Sequence, residues 1–355
     1  MTDMTLIRPD LDSLPAYVPG RAIPGAIKLA SNEVALPPPA AVLAAIADAA
    51  AGGNRYPDLA VTGLSERLAT ELHVGQERIA VGCGSVSLCQ QLVQISCRET
   101  TDEVIFAWRS FEAYPIVTQI GNARAVTVPL DGEFRHDLDA MAAAVTANTR
   151  LIFVCSPNNP TGTVVHREEF ESFMAAVGPD VLVALDEAYH EYVTDPDAVD
   201  GIPLLDRHPN LVVLRTFSKA YRLAGLRVGY ALCASPEIAT ALKKVCAPFS
   251  VSTLAQAGAI AALDNAGELL AACKEAVGER VRVRDALLAM GYTVPRTQAN
   301  FVWVALGERT AAFAAHCLEQ QTVIVRPFHP DGCRVTVTTP EEDDRFLEAA
   351  RTFSG

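Results

Sequence analysis

Short apolar runs alternate with amphipathic stretches through most of the chain. The runs cover residues 79–81, 103–106, 125–128, 151–155, 181–185, 211–214 and 228–232. They are rich in β-branched residues, are not interleaved with polar ones, and are bounded by turn residues. That pattern suits strands buried on both faces, and helices between them predict a largely parallel α/β sheet. From about residue 251 the pattern changes. An Ala/Glu/Arg-rich helical stretch over 251–290 precedes a segment at 297–306, a helix at 309–320, strands at 322–326 and 334–338, and a last helix from Pro340. Short strands with flanking helices predict a smaller α+β domain. Near the start, Pro15, Pro19, Gly20, Pro24 and Gly25, then Pro37 to Pro39, read as an extended arm feeding a helix and packing with that smaller domain. The expected division is a large ligand-binding domain at 45–250, with 1–44 and 251–355 forming the arm plus the small domain.

Composition narrows the class. A chain of 355 residues with half of them hydrophobic suits two domains and buries enough surface to fold without disulfides or metals. The composition also excludes disorder and coiled coil. The nine cysteines form no CxxC pair and sit mostly in apolar runs, so they are expected to be reduced core thiols of a cytoplasmic protein. The seven histidines supply no zinc-like cluster with them, and no metal is expected. No apolar run reaches the length of a membrane span, and the first residues lack a signal-peptide pattern. With 29 basic against 42 acidic residues the formal charge is −13, and without a basic stripe nucleic acid is not an expected partner.

Four run ends carry candidate chemistry. Residues 79–81 lead through Gly82-Cys83-Gly84-Ser85 into a helix, whose free backbone N–H groups would suit a phosphate. Residues 151–155 are followed by SPNNPTG at 156–162, residues 181–185 by Asp186-Glu-Ala-Tyr189, and residues 211–214 by RTFSK ending at Lys219. In an open parallel sheet ligands bind at the carboxyl ends of strands, so these loops should converge. A partly desolvated lysine suits Schiff-base chemistry, and a buried aspartate suits a pyridinium nitrogen. An anion turn, an aldehyde-reactive lysine and a pyridinium-pairing aspartate together point to pyridoxal 5'-phosphate.

The same residues carry a resemblance that spans essentially the whole chain. PAYVPG at 15–20, KLASNE at 28–33, NRYP at 54–57, SPNNPTG at 156–162, DEAY at 186–189 and TFSKAYRLAGLRVGY at 216–230 resemble class I/II aminotransferases of fold type I, in the histidinol-phosphate aminotransferase group. GCGSVSLCQQ at 82–91 and WRSFEAY at 108–114 are most similar to actinobacterial aromatic amino acid (phenylalanine) aminotransferases. The resemblance implies a large α/β domain plus a small α+β domain, pyridoxal phosphate as cofactor, and amino and 2-oxo acids as substrates. The implied reaction transfers the amino group of phenylalanine or tyrosine to 2-oxoglutarate. Histidinol phosphate as amino donor is the alternative, and a pyridoxal-phosphate decarboxylase of the threonine-phosphate type is a third possibility.

Residue by residue, the resemblance implies that Lys219 reacts with the cofactor aldehyde and later moves the substrate proton. Asp186 would hold the ring nitrogen protonated, while Asn159 and Tyr189 would bond the ring O3′. Ser85, Val86, Ser218 and Arg227 would bind the phosphate, Phe111 would stack on the ring, and Tyr56 would reach the neighbouring site of a homodimer. On the substrate side, Arg334 would take the α-carboxylate, and Tyr17, Asn32 and Arg326 would line the pocket, Arg326 meeting a substrate phosphate if there is one. Arg222, near Lys219, and Trp108-Arg109 depart from the family pattern. Glu187, His190 and the acidic run 341–344 read as solvated or capping charge. The crevice should therefore be cationic although the chain is acidic.

Overall fold

The computed structural model describes residues 11–12, 14 and 23–354. Strand β1 (Ile27–Lys28) is followed by helices α1 (Ala40–Ala50) and α2 (Thr62–Leu72). Strands and helices then alternate: β2 (Ile79–Gly82), α3 (Gly84–Ser96), β3 (Glu103–Trp108), α4 (Ala113–Ile120), β4 (Arg124–Pro129), α5 (Leu138–Ala143), β5 (Thr149–Cys155), α6 (Arg167–Val177) and β6 (Leu182–Asp186). Strands β7 (Leu211–Thr216) and β8 (Gly229–Cys233) complete the larger sheet. Helices α7 (Pro236–Val245), α8 (Thr253–Asp264) and α9 (Ala266–Ala289) lead to β9 (Phe301–Ala305) and α10 (Thr310–Gln321). The chain closes with β10 (Val323–Ile324), β11 (Arg326–Phe328), β12 (Gly332–Thr336) and α11 (Pro340–Thr352).

Each of the seven apolar runs overlaps one strand of a seven-stranded sheet ordered β2-β8-β7-β6-β5-β3-β4. β8 runs antiparallel to both neighbours, and the remaining pairs are parallel. The runs lack alternation because successive residues feed two different cores. Val104 and Phe106 of β3 pack on one face with Leu151, Phe153, Val212 and Leu214. Ile105 and Ala107 pack on the other with Ile152, Val154, Val183 and Leu185. Burying such a side chain contributes about 1.5–3 kcal/mol, so both faces demand apolar residues.

The C-terminal region departs from expectation in two places. The helical stretch at 251–290 is two helices, because Asn265 (φ −107°, ψ 21°) leaves helical geometry and its side-chain amide donates to the carbonyl of Ala261. The strand expected at 322–326 is also divided. β10 pairs in parallel with β1, whereas β11 pairs antiparallel with β12 in a three-stranded sheet ordered β11-β12-β9. Leu29, Val283, Leu287, Phe313, Val335 and Phe346 belong to the core of this smaller sheet. Val251, Ala255, Leu269 and Cys273 instead pack into the larger core, so packing changes over inside α9 rather than at residue 250.

All nine cysteines are free thiols, seven of them buried. Among the described residues no helix is long and apolar enough to cross a membrane.

Candidate active site

The carboxyl ends of β3, β5, β6 and β7 open into one cavity of about 550 Å³. Its wall contains Ser85, Val86, Phe111, Asn159, Asp186, Tyr189, Ser218, Lys219 and Arg227 from the larger sheet, together with Asn32, Arg326 and Arg334. Twelve residues proposed from distant parts of the sequence thus line the same space. Tyr17 lies outside the described residues. Tyr56 does not line this cavity; it is 82% exposed and stacks on Phe249 at 4.6 Å between ring centroids.

Asp186 ends β6 and is almost completely buried. The Tyr114 hydroxyl donates to its Oδ2 at 2.8 Å, and the Ala188 N–H to its Oδ1 at 3.2 Å. Burial disfavours the carboxylate more than these donors favour it, so the pKa of Asp186 is pushed up to about 6. Lys219, two residues beyond Phe217 on the loop after β7, is held at its amine by a hydrogen bond to the Ser31 carbonyl at 3.2 Å. Burial pulls its pKa down to about 7, with the Arg334 guanidinium adding to the effect. Near neutral pH a substantial fraction of this amine is therefore an uncharged nucleophile.

Next to Ser85 of the cavity wall, α3 begins at Gly84 with φ +74°, a conformation few side-chain-bearing residues adopt. A methyl at Gly84 would lie 2.4 Å from Arg227 Nη2. Arg227 itself has φ +57° and donates to Ser218 Oγ at 3.4 Å and to the Ala224 carbonyl at 2.9 Å. A helix N-terminus, a hydroxyl and a guanidinium thus face one region, as an anion requires. Gly229 keeps β8 close to that turn: a methyl there would lie 2.6 Å from Ser85 N and 3.0 Å from the Arg215 carbonyl. Gly229→Ala should therefore destabilise the fold by about 1–3 kcal/mol through backbone displacement. Urea unfolding reads this as a lowered midpoint, and an unchanged midpoint would refute the close approach.

Arg334 bridges the two sheets. From β12 it donates to Asn159 Oδ1 at 2.5 Å and to the Ala30 carbonyl at 2.7 Å, and its guanidinium lies 5.5 Å from the Phe301 ring centre. Asn32 (φ +54°) donates through Nδ2 to the Tyr189 hydroxyl at 2.7 Å, while its own N–H donates to Thr336 Oγ1. Phe111 meets Tyr114 edge to face at 5.5 Å. Arg326 donates to Glu112 Oε2 at 2.8 Å, and both line the cavity. Among the described residues, four basic and three acidic ones (Glu33, Glu112 and Asp186) line it, so the expected positive charge is largely compensated there.

Five further placements were not evident from sequence. Glu187 is not solvated: it is buried, receives the Arg215 Nε–H at 2.9 Å and the Gly201 N–H at 2.7 Å. Asp343 within the acidic run is also fully buried and accepts the Thr338 N–H. Arg222 lines a separate cavity and donates to the Pro37 carbonyl. Trp108-Arg109 is held from two sides: Asn158 donates to the Arg109 carbonyl, and the Arg109 side chain pairs with Asp331 of the smaller unit. Tyr114, the buried donor to Asp186, carries no local sequence signal for that role, because 72 residues separate the two.

Residues 24–349 match the model of the family described as aminotransferase class I and II. The chain belongs to this family. An aromatic amino acid aminotransferase of Nocardia farcinica is 57% identical over 346 residues, which is 97% of this chain and 96% of that protein. Another from Rhodococcus erythropolis is 58% identical over 346 residues, covering 98% of this chain and 95% of that one. Among solved structures, the histidinol-phosphate aminotransferase of Sinorhizobium meliloti in complex with pyridoxal-5'-phosphate superposes with a TM-score of 0.88 at 30% identity, covering 99% of this chain and 98% of the other. An L-threonine-O-3-phosphate decarboxylase of Porphyromonas gingivalis shares the aminotransferase fold at 21% identity and a TM-score of 0.80.

Proposed function

We propose that this aminotransferase uses pyridoxal 5'-phosphate to move the amino group of an aromatic L-amino acid, phenylalanine or tyrosine, to 2-oxoglutarate. The observation that carries the reading is the joint placement of Lys219, Asp186 and the Gly84–Arg227 cradle in one cavity. It is supported by the names of relatives 57% and 58% identical over nearly the whole chain. The residues present fit the cofactor. An amine with a depressed pKa, a buried carboxylate and an anion cradle match an aldehyde, a ring nitrogen and a phosphate.

When bound, pyridoxal phosphate supplies an aldehyde for an amine and an electron-withdrawing ring that stabilises negative charge at the substrate α-carbon. Lys219 would hold the cofactor at its aldehyde and serve as base and acid for the proton on the substrate α-carbon. Asp186, aligned by Tyr114, would pair with the ring nitrogen in its protonated form. Asn159 and Tyr189 would bond the ring O3′, and Phe111, also in the cavity wall, would stack on the ring. Ser85, Val86, Ser218 and Arg227 hold the phosphate. Arg334, already desolvated and aimed by Asn159, receives the substrate α-carboxylate as a planar, two-pronged donor. Asn32 completes the substrate side.

The same reading includes a homodimer in which Tyr56, 82% exposed and stacked on Phe249 outside its own cavity, serves the second copy. Steady-state turnover of phenylalanine with 2-oxoglutarate tests the reading. Phenylpyruvate and glutamate should form in equal amounts, with kcat/KM for phenylalanine above that for histidinol phosphate. A reversed order would replace the aromatic donor, and release of CO₂ in place of a keto acid would remove the transaminase reading.

A further inference from the structure

Arg326 and Glu112 come from different units of the fold. Arg326 begins β11 of the smaller sheet, in register beside Arg334 on β12. Glu112 stands immediately before α4 of the larger unit. Their side chains meet at 2.8 Å inside the wall that also holds Lys219. The two ends of the pair differ in exposure: the Arg326 side chain is 13% exposed and that of Glu112 33%. Beyond them, Phe111, Ile116, Val117 and Ile120 give this side of the cavity an apolar surface.

We propose that Glu112 sets the substrate range of this site by acting as an internal counter-ion for Arg326. The proposal rests on the aromatic transaminase reading above and concerns the side-chain end of the substrate, which Arg326 would meet while the neighbouring Arg334 takes the α-carboxylate. A phenyl ring placed beside an unpaired, largely desolvated guanidinium would leave that charge without a partner, which is strongly unfavourable. Paired with Glu112, the same guanidinium presents no net charge to an apolar group. The amino acceptor poses the opposite demand, because a five-carbon 2-oxo diacid carries a distal carboxylate that Arg326 suits. Glu112, the more exposed member, is the one that yields: it turns toward solvent, and the distal carboxylate takes its place on Arg326. One cavity thereby serves a neutral aromatic donor and a dianionic acceptor. The same pair penalises any donor whose tail is a phosphate, since that anion must displace Glu112 before it is bound.

The test uses the holoenzyme and two unreactive ligands, glutarate and 3-phenylpropionate, with dissociation constants measured by calorimetry. Glu112→Gln keeps the size of the side chain and removes its charge. Glutarate should bind about tenfold more tightly to this variant, the scale of one charge-assisted hydrogen bond, while 3-phenylpropionate should bind more weakly. A general disturbance of folding would move both ligands in one direction, so opposite movements identify the counter-ion role. In Glu112→Gln/Arg326→Gln the gain for glutarate should disappear. Glutarate affinity within twofold of the native value in Glu112→Gln, or a gain that survives in the double variant, would overturn the proposal. Failure of the aromatic reading shows separately, as native enzyme that does not turn over phenylalanine, and the glutarate measurement is unaffected by it.

Discussion

Lys219→Ala is expected to lower transamination by about 10⁴-fold, the upper range for loss of a positioned general acid–base. Among the described residues the cavity wall holds no second lysine to take over the amine's work. Its arginines are fixed elsewhere: Arg227 on Ser218 and Ala224, Arg326 on Glu112, Arg334 on Asn159 and Ala30. The measurement is single-turnover conversion of phenylalanine by cofactor-loaded variant and native protein. A loss below tenfold would remove Lys219 from the reaction. The pH dependence gives an independent check. In the folded protein the amine titrates near 7 instead of 10.5. Capture of pyridoxal phosphate by cofactor-free enzyme should therefore rise with pH through about 7 and level off above it. The sign for stability follows from the same shift. Between about 7 and 10.5 the unfolded chain binds a proton at Lys219 that the folded chain does not, so this group's contribution to stability grows with pH across that window. In Lys219→Ala both dependences should vanish.

Asp186→Ala should cost about 10²–10³-fold in kcat, the scale of losing a preorganised electrostatic partner in a water-poor site. The carboxylate is buried, and its pKa near 6 marks it as a charge awaiting a cation. A protonated ring nitrogen would supply one and lower that pKa again. Cofactor affinity of the native protein should therefore weaken as pH falls below about 6, because the carboxylate must then lose a proton to pair. The alanine variant should bind more weakly and keep only the dependence that Lys219 imposes near 7. Calorimetric titration of cofactor-free protein between pH 5 and 8 distinguishes the cases (the range is about one to two units either side of the shifted value). Near-native kcat in Asp186→Ala would remove the ring-nitrogen role. Asp186 also carries the reverse linkage to Lys219. Between about 4 and 6 the folded chain holds the extra proton, so this group's contribution to stability declines as pH rises through that interval.

Features encoded in neighbouring residues were readable before the structure. A strand buried on both faces announces itself as an unbroken apolar run, and all seven runs became strands. Residues one to five positions beyond those runs, such as Asp186, Asn159 and Lys219, followed from the strand ends. Direction was not readable: the run at 228–232 has the same composition whether β8 is parallel or, as found, antiparallel. Nor were partners separated by long stretches of chain. Tyr114 reaches Asp186 across two intervening strand–helix units, and Glu112 reaches Arg326 across 214 positions. Glu187 was misplaced for the same reason. A glutamate beside a turn looks solvated until Arg215 of β7 is known to lie against it.

The parallel pairing of β1 with β10 sets an order of events during synthesis. The seven strands of the larger sheet have all been made once Cys233 is reached, and this unit can begin to fold while the rest is still being translated. Ile27 and Lys28 must wait for Val323 and Ile324 before their strand has a neighbour. The backbone just beyond them supplies the Ser31 carbonyl to Lys219 and the Ala30 carbonyl to Arg334. A nascent chain can thus own every residue of its larger sheet and still lack a finished cavity wall. That wall closes only when the last tenth of the polypeptide arrives to hold the first.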